Sequence, residues 1–205
     1  MKKGVVFVVL SPSGGGKGSI LHEVTRDNPT ARLSVSATTR APRPGEKHGE
    51  HYFFVTREEF EEMVESGGML EHAEYCGNYY GTPKAPVLTW TQEGYDVVLE
   101  IEVQGGAQIR EKLPDSVSVF ILPPSMQVLE SRLRRRGTEP EEIIRGRLQT
   151  ARTEEIPRAR ECDYVIVNDR LEDAAADLEA IMRAERLKKN KDELIKGVSD
   201  YAETI

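Results

Sequence analysis

Apolar residues in this chain gather in short, dense runs. Val5-Val6-Phe7-Val8-Val9-Leu10, Val97-Val98-Leu99-Glu100-Ile101, Val117-Ser118-Val119-Phe120-Ile121-Leu122 and Tyr164-Val165-Ile166-Val167 are rich in β-branched residues and too short for buried helices. They predict buried strands over 4–10, 97–101, 117–122 and 164–167. Between and after them, apolar positions recur at helical spacing over 19–26, 104–113, 126–136 and 172–190. Strands that alternate with helices predict an α/β fold with a doubly wound parallel sheet. Ligands of such a sheet belong at the carboxyl ends of its strands.

The pattern changes over 33–93. Short strand-like segments at 33–36, 51–55, 69–75 and 78–80 are punctuated by Pro42, Pro44, Gly45, Gly49 and Gly77. Thr56-Arg57-Glu58-Glu59 is a capping box that opens a short helix. This stretch predicts an α+β lobe inserted over one end of the sheet. A second capping box, Thr138-Glu139-Pro140-Glu141, opens a helix carrying Arg145 and Arg147. The predicted core is therefore 1–32 and 94–187, with the lobe at 33–93, a lid at about 134–158, and a charged helix and tail over 188–205.

The first strand ends in a glycine-rich turn, Ser11-Pro12-Ser13-Gly14-Gly15-Gly16-Lys17-Gly18-Ser19, and a helical pattern follows. Strand, glycine-rich loop and helix in that order form a phosphate-binding loop. Backbone N–H groups of such a loop point inward at phosphate oxygens, the helix N-terminus adds its positive end, and Lys17 supplies a point charge. The strict pattern has Gly first and Ser or Thr directly after the Lys. This chain has Ser11 and Gly18 there, and the hydroxyl comes one residue later at Ser19. Either Ser19 or water then completes the contact to a Mg²⁺ ion. The loop announces a nucleotide site without naming the reaction.

Net charge is −7, which argues against a general nucleic-acid binder. Its distribution is uneven: residues 131–160 hold nine Arg and no Lys against five Glu and no Asp. Ion pairs on a solvated helix face would explain part of this. Arg to the exclusion of Lys also suits phosphate, whose oxygens the guanidinium fork grips bidentately. Two cysteines, Cys76 and Cys162, form neither a disulfide framework nor a metal spacing. Cys76 has no neighbouring base to make it a nucleophile, and His48 and His51 have no ligand set around them. Trp90 reads as a packing residue. No signal segment or apolar span is visible, so the expectation is a cytoplasmic protein with no membrane partner.

The second dense cluster runs from Ser34 through Arg40, Arg43, Glu46 and Tyr52. Two arginines three apart on a proline-stiffened loop can hold one phosphate from two sides, and Tyr52 adds a hydroxyl. Downstream, Glu71 and then Tyr79, Tyr80 and Thr82 add a carboxylate and hydroxyls, with Tyr79 open to plain packing as well. Guanine offers N1–H and N2–H₂ as adjacent donors, which one carboxylate accepts together. Adenine lacks them and would leave a buried carboxylate unpaired, a mismatch worth on the order of 10⁴-fold in discrimination.

The runs SVSATTRAPRPGEKHGEHYFFV, LEHAEYCGNYYGT, LEIEVQGG, RRRGTEPEEIIRGRL and YVIVND stand in this order from about Gly4 to Leu187, and the chain resembles the guanylate kinase family over that length. The resemblance implies a P-loop NTPase-like core with a GMP-binding lobe and an arginine-rich lid, and the transfer of a phosphoryl group from ATP to GMP with Mg²⁺. By position it implies that Arg40, Arg43, Tyr52 and Tyr80 hold the GMP phosphate, with Glu46 supporting the arginine loop. Ser36, Glu71 and Thr82 match the base-reading positions. Lys17 matches the loop lysine on ATP, and Arg132, Arg136 and Arg147 match phosphate-contacting arginines of the lid and its base. Asn168 matches a position near the adenine. Glu100 and Glu102 stand where the family often has Asp, one serving Mg²⁺ and the other the guanine. A monomer and a homo-oligomer are both open.

Two other readings compete. A kinase of a phosphorylated sugar would not need Glu71 with Thr82. A non-catalytic binding module of similar fold would not need the glycine-rich loop with Lys17.

Overall fold

The computed structural model describes residues 3–26, 28–75, 77–137 and 140–202. Cys76 and the Thr138-Glu139 part of the second capping box lie outside the described residues, as does the side chain of Arg136. The elements, in order, are β1 (Val6–Leu10), α1 (Lys17–Arg26), β2 (Ala31–Leu33), β3 (Ala37–Thr38), β4 (Phe53–Phe54), α2 (Arg57–Glu65), β5 (Met69–Tyr75), β6 (Asn78–Pro83) and α3 (Lys84–Gln92). They continue with β7 (Asp96–Glu100), α4 (Val103–Lys112), β8 (Val117–Leu122), α5 (Met126–Arg136), α6 (Glu141–Thr150), β9 (Tyr164–Val167), α7 (Leu171–Lys189) and α8 (Lys191–Ala202). A π-turn at Ala151–Glu155 and a 3₁₀ turn at Ile156–Glu161 extend α6.

Five strands pair in the order β2-β7-β1-β8-β9, every pairing parallel. Alternation along β1 sends Phe7 and Val9 to one face and Val6, Val8 and Leu10 to the other. The first face packs on Ile20, Leu21 and Val24 of α1 and on Ala174, Leu178 and Met182 of α7. The second packs on Val87 of α3 and Ile109 of α4. With helices on both faces, β1 has no solvated side, and its five residues are all buried. β1 lies between β7 and β8, so the sheet's winding reverses beside it and the crevice outside its carboxyl end is open to a ligand.

The four core strands and their helices fall within two residues of their predicted ranges. The segment at 33–36 does not form a lobe strand as predicted. The chain pairs earlier, at Ala31–Leu33, and does so with β7 of the core sheet, where Ala31 faces Asp96. A backbone bond from Asp96 N to the Thr30 carbonyl, 2.8 Å, leads into that pairing. α3 is an element the alternation pattern missed; its Val87 and Trp90 pack against the core sheet.

The second sheet has four strands in the order β4-β3-β6-β5. β5 and β6 are an antiparallel hairpin with a bulge between Met69 and Glu71. α2 covers this sheet through Phe60 and Met63. Its predicted capping box is present: Thr56 Oγ1 accepts from Glu59 N at 3.1 Å and Thr56 N donates to Glu59 Oε2 at 2.7 Å. At α6, Pro140 is the N-cap itself, one position earlier than a first-turn proline. No helix among the described residues is long and apolar enough to cross a membrane.

Candidate active site

The glycine-rich loop joins the end of β1 to α1. Gly16 has φ of 92°, and a Cβ there would lie 2.2 Å from Asn168 Nδ2. Both the left-handed backbone and the close approach admit only glycine. The loop is braced from below by residues far away in sequence. Asn168 Nδ2 and Arg132 Nη1 both donate to the Gly15 carbonyl, at 2.9 and 3.2 Å, and Arg132 Nη2 donates to the Asn168 carbonyl at 2.8 Å. Gly15's carbonyl is held down and its N–H donates to the Pro12 carbonyl at 2.9 Å, so the turn keeps its shape. Ser11 through Ser19, with Glu100 and Glu102 at the carboxyl end of β7, line a cavity of about 240 Å³. A larger cavity, about 410 Å³, lies away from the loop beside α7, where Asp96 and Arg186 are already paired at 2.9 Å.

Lys17 is buried, and its Nζ donates to the Ile101 carbonyl at 2.5 Å, tying the first residue of α1 to the exit of β7. Ser19 and Glu100 both line the cavity, and a Cβ on Gly18 would lie 3.4 Å from Glu100 Oε1. The donor set is oxygen only, which suits Mg²⁺ completed by phosphate oxygens and water. No cluster of three or more His, Cys, Asp or Glu is assembled for a metal among the described residues.

The arginine-rich stretch divides in two. Arg147 reaches the loop, donating from Nη1 to Ser13 Oγ at 2.6 Å. Arg134 instead joins α5 to α6 by gripping both Glu130 and Glu141, while Arg145 also pairs with Glu141. These bonds, Arg134's first, pull the Glu141 carboxyl down to a pKa of about 2. Glu155, at the end of the π-turn, is a residue the sequence did not single out. Burial and the nearby Glu102 raise its pKa, while the Ser13 N–H, Arg147 and Lys17 offset part of that rise. In sequence it is one more glutamate in a charged segment. Only the π-turn, which re-registers the helix relative to Arg147, turns it toward the loop.

On the lobe, Glu46 is the centre of the arginine loop. Its Oε1 accepts from Arg40 Nη2 at 2.9 Å and its Oε2 from the Arg43 backbone N–H at 2.7 Å. Arg40 lowers the Glu46 pKa most, and Glu46 in turn raises that of Arg40, with a contribution from Tyr80. The Arg40 guanidinium stands 5.5 Å from the Tyr52 ring centre, and Tyr52 meets Tyr80 edge-on at 6.1 Å. The Arg43 side chain is exposed, and Ser36 is half-buried in the strand ladder, its carbonyl accepting from Phe53 N. Tyr79 packs on Phe60 and takes a hydrogen bond from Arg57, a structural arrangement. His51 accepts from Lys47 N of its own loop, and His48 accepts from Phe54 N of β4.

Glu71 and Thr82 pair across the β5–β6 hairpin, with Thr82 Oγ1 donating to Glu71 Oε1 at 2.7 Å. Glu71 is 7 % exposed and Thr82 is fully enclosed. Burial raises the Glu71 pKa, against the opposing effects of the Thr82 hydroxyl and N–H, Lys17 and Lys112. Loop and lobe meet beyond β7, where Lys17 Nζ bonds the Ile101 carbonyl at 2.5 Å and a Cβ on Gly105 would lie 2.7 Å from Glu71 Oε2. The arrangement can hold a polyphosphate at the loop, a second phosphate at Arg40, and a flat donor-bearing ring at Glu71.

Comparison with known proteins agrees with this chemistry. A family model described as guanylate kinase matches residues 3–185. A guanylate kinase from Desulfitobacterium hafniense (strain Y51) is 48% identical over 196 residues, covering 95% of this chain and 98% of that protein. One from Carboxydothermus hydrogenoformans is 51% identical over 188 residues, 92% of each. One from Escherichia coli (strain K12) is 47% identical over 193 residues, 93% of each. Among solved structures, the guanylate kinase from Anaplasma phagocytophilum superposes with a TM-score of 0.70 at 38% identity, covering 91% of this chain and 88% of that one.

Proposed function

Since the chain belongs to the guanylate kinase family, we propose that its two facing sites carry out reversible transfer of the γ-phosphoryl group of ATP to the phosphate of GMP, giving ADP and GDP. The observation that supports this most is the convergence beyond β7, where Lys17 Nζ holds the Ile101 carbonyl and Gly105 in the next helix packs on the carboxylate of Glu71. Donor and acceptor sites therefore share one cleft.

The acceptor is already an anion at neutral pH, because a phosphate monoester has its second pKa near about 6. No general base is required. The difficulty is repulsion between two polyanions that must approach in line, so catalysis is positioning plus charge neutralisation. Loop N–H groups and Lys17 receive the donor phosphates, with Arg147 beside Ser13 on the side of the lid. Arg132 and Asn168 keep the loop in shape through Gly15. Arg40, preset by Glu46, takes the GMP phosphate with Arg43, Tyr52 and Tyr80, while Glu71 and Thr82 take the guanine with Ser36. Arg136 joins the lid arginines in this reading. Ser19 and Glu100 would hold Mg²⁺, which would supply charge stabilisation to the transferring group. Lid residues over the cleft keep water from the phosphoryl group.

Lys17→Ala tests the donor half. Its kcat should fall by about 10²–10³-fold, as when one preorganised charge donor is removed from a transfer site. Loss of its bond to the buried Ile101 carbonyl should cost about 1–3 kcal/mol of stability, so kcat is compared on protein shown to be folded. Unchanged kcat would contradict the role given to the loop.

A further inference from the structure

The base-reading carboxylate is seated against a glycine. α4 has Glu102 as its N-cap, so Gly105 is the third residue of its first turn, and it is buried. A Cβ on Gly105 would lie 2.7 Å from Glu71 Oε2, 3.2 Å from its Cδ and 3.3 Å from its Cγ. Three atoms of one side chain occupy the space a methyl group would take.

Which partner would yield follows from what holds each. α4 is fastened to β5 along its length. Gln108 brackets His72, with Nε2 donating to the His72 carbonyl at 2.9 Å and Oε1 accepting from His72 N at 3.2 Å. One turn on, Lys112 Nζ donates to the Met69 carbonyl at 3.0 Å. The helix cannot back away without breaking these bonds. Among the described residues, the Glu71 carboxylate takes its hydrogen bonds from Thr82 alone, so it is the softer partner. Displacement would spare the fold and spoil the geometry in which one carboxylate accepts two adjacent donors.

We propose that Gly105 is a specificity-determining positioning residue: the absence of a side chain there sets the depth and angle of the Glu71 carboxylate that reads the guanine edge. This rests on the reading of Glu71 as the base-recognition group, and the test separates the two. Gly105→Ala, Glu71→Gln, Glu71→Asp and Gly105→Ala/Glu71→Asp are compared with the wild type for melting temperature, for KM of ATP, and for KM and kcat/KM with GMP and with IMP. IMP keeps N1–H and lacks the 2-amino group, so the GMP-to-IMP ratio reports on two-donor recognition.

Alanine is the better helix former, so Gly105→Ala should melt no lower than slightly below the wild type. It should raise the KM for GMP about ten-fold or more and shrink the GMP-to-IMP ratio, while the KM for ATP stays within about two-fold. The shorter carboxylate of Glu71→Asp clears the added methyl, so the double variant should regain part of the loss, a coupling that independent sites would not show. If Gly105→Ala keeps the wild-type GMP kinetics and ratio while Glu71→Gln loses them, the Gly105 assignment is wrong and the base reading stands. If Glu71→Gln changes neither, the base reading itself fails. Should Gly105→Ala not fold, the double variant decides: restored folding supports the contact with Glu71, and continued misfolding overturns it.

Discussion

Single side chains in this site work mainly by holding other groups in place. Glu46 spans the Arg40 guanidinium and the Arg43 backbone, so the arginine loop is preset for the phosphate that the proposed function gives it. Arg40→Lys keeps the charge and loses the fork that meets both Glu46 and a phosphate. A charge-assisted bond contributes about 1.5–3 kcal/mol, so the KM for GMP should rise by about 10–100-fold with little change in the KM for ATP. Steady-state kinetics of that variant check it. At this scale the sequence was a good guide to residues that the fold brings together, as for Arg40 with Glu46 and Glu71 with Thr82. It was silent on bracing. Nothing in the sequence says that Asn168 would donate to Gly15, 153 residues away. Gly105 likewise reads as an ordinary helix residue until Glu71 is set against it.

Elements were legible where periodicity had one interpretation. The β1 run is apolar at every position because both faces are covered, and no helix of that length would read the same way. The region 31–38 misled because two short strands of different sheets follow each other with no punctuation between them. The junctions between elements carry testable energetics. Asp96, at the start of β7, accepts from Val5 N at 2.9 Å and pairs with Arg186 at 2.9 Å, joining β1, β7 and α7. Asp96→Ala leaves a buried N–H and a partly buried guanidinium without this partner. It should cost about 2–3 kcal/mol in chemical denaturation while leaving kcat close to normal. The α5–α6 junction should respond to acid. The Glu141 pKa is about 2 in the folded protein against 4.5 ordinarily. A depressed carboxyl stabilises the fold fully above its unfolded pKa and loses that contribution as pH falls through the folded value. Acid unfolding of Glu141→Gln should therefore lack the part of the pH dependence that wild type shows between these two values. Identical acid profiles would remove the latch.

For the whole molecule, two sheets divide the labour. The parallel sheet ends in the glycine-rich loop, and the small mixed sheet carries Glu71 and leads into the loop of Arg40 and Arg43, the groups to which the proposed function gives the base and the phosphate of GMP. The family membership was legible in the sequence because its motifs are contiguous and ordered. The relation between the two sheets was not, since it depends on contacts such as those between α4 and β5 that no local pattern encodes. The end of the chain keeps apolar residues outside this plan: α8 leaves Val198 75 % exposed and Ile195 more than half exposed.

The most direct test of the account is ADP formation from Mg·ATP with GMP, AMP, UMP, CMP and ribose 1,5-bisphosphate supplied separately. Turnover with GMP should exceed that with AMP by about 10³–10⁴-fold, because adenine leaves Glu71 unpaired, and the sugar bisphosphate should not react. Comparable turnover with AMP, or none with any acceptor from folded protein, would contradict a guanine-reading kinase.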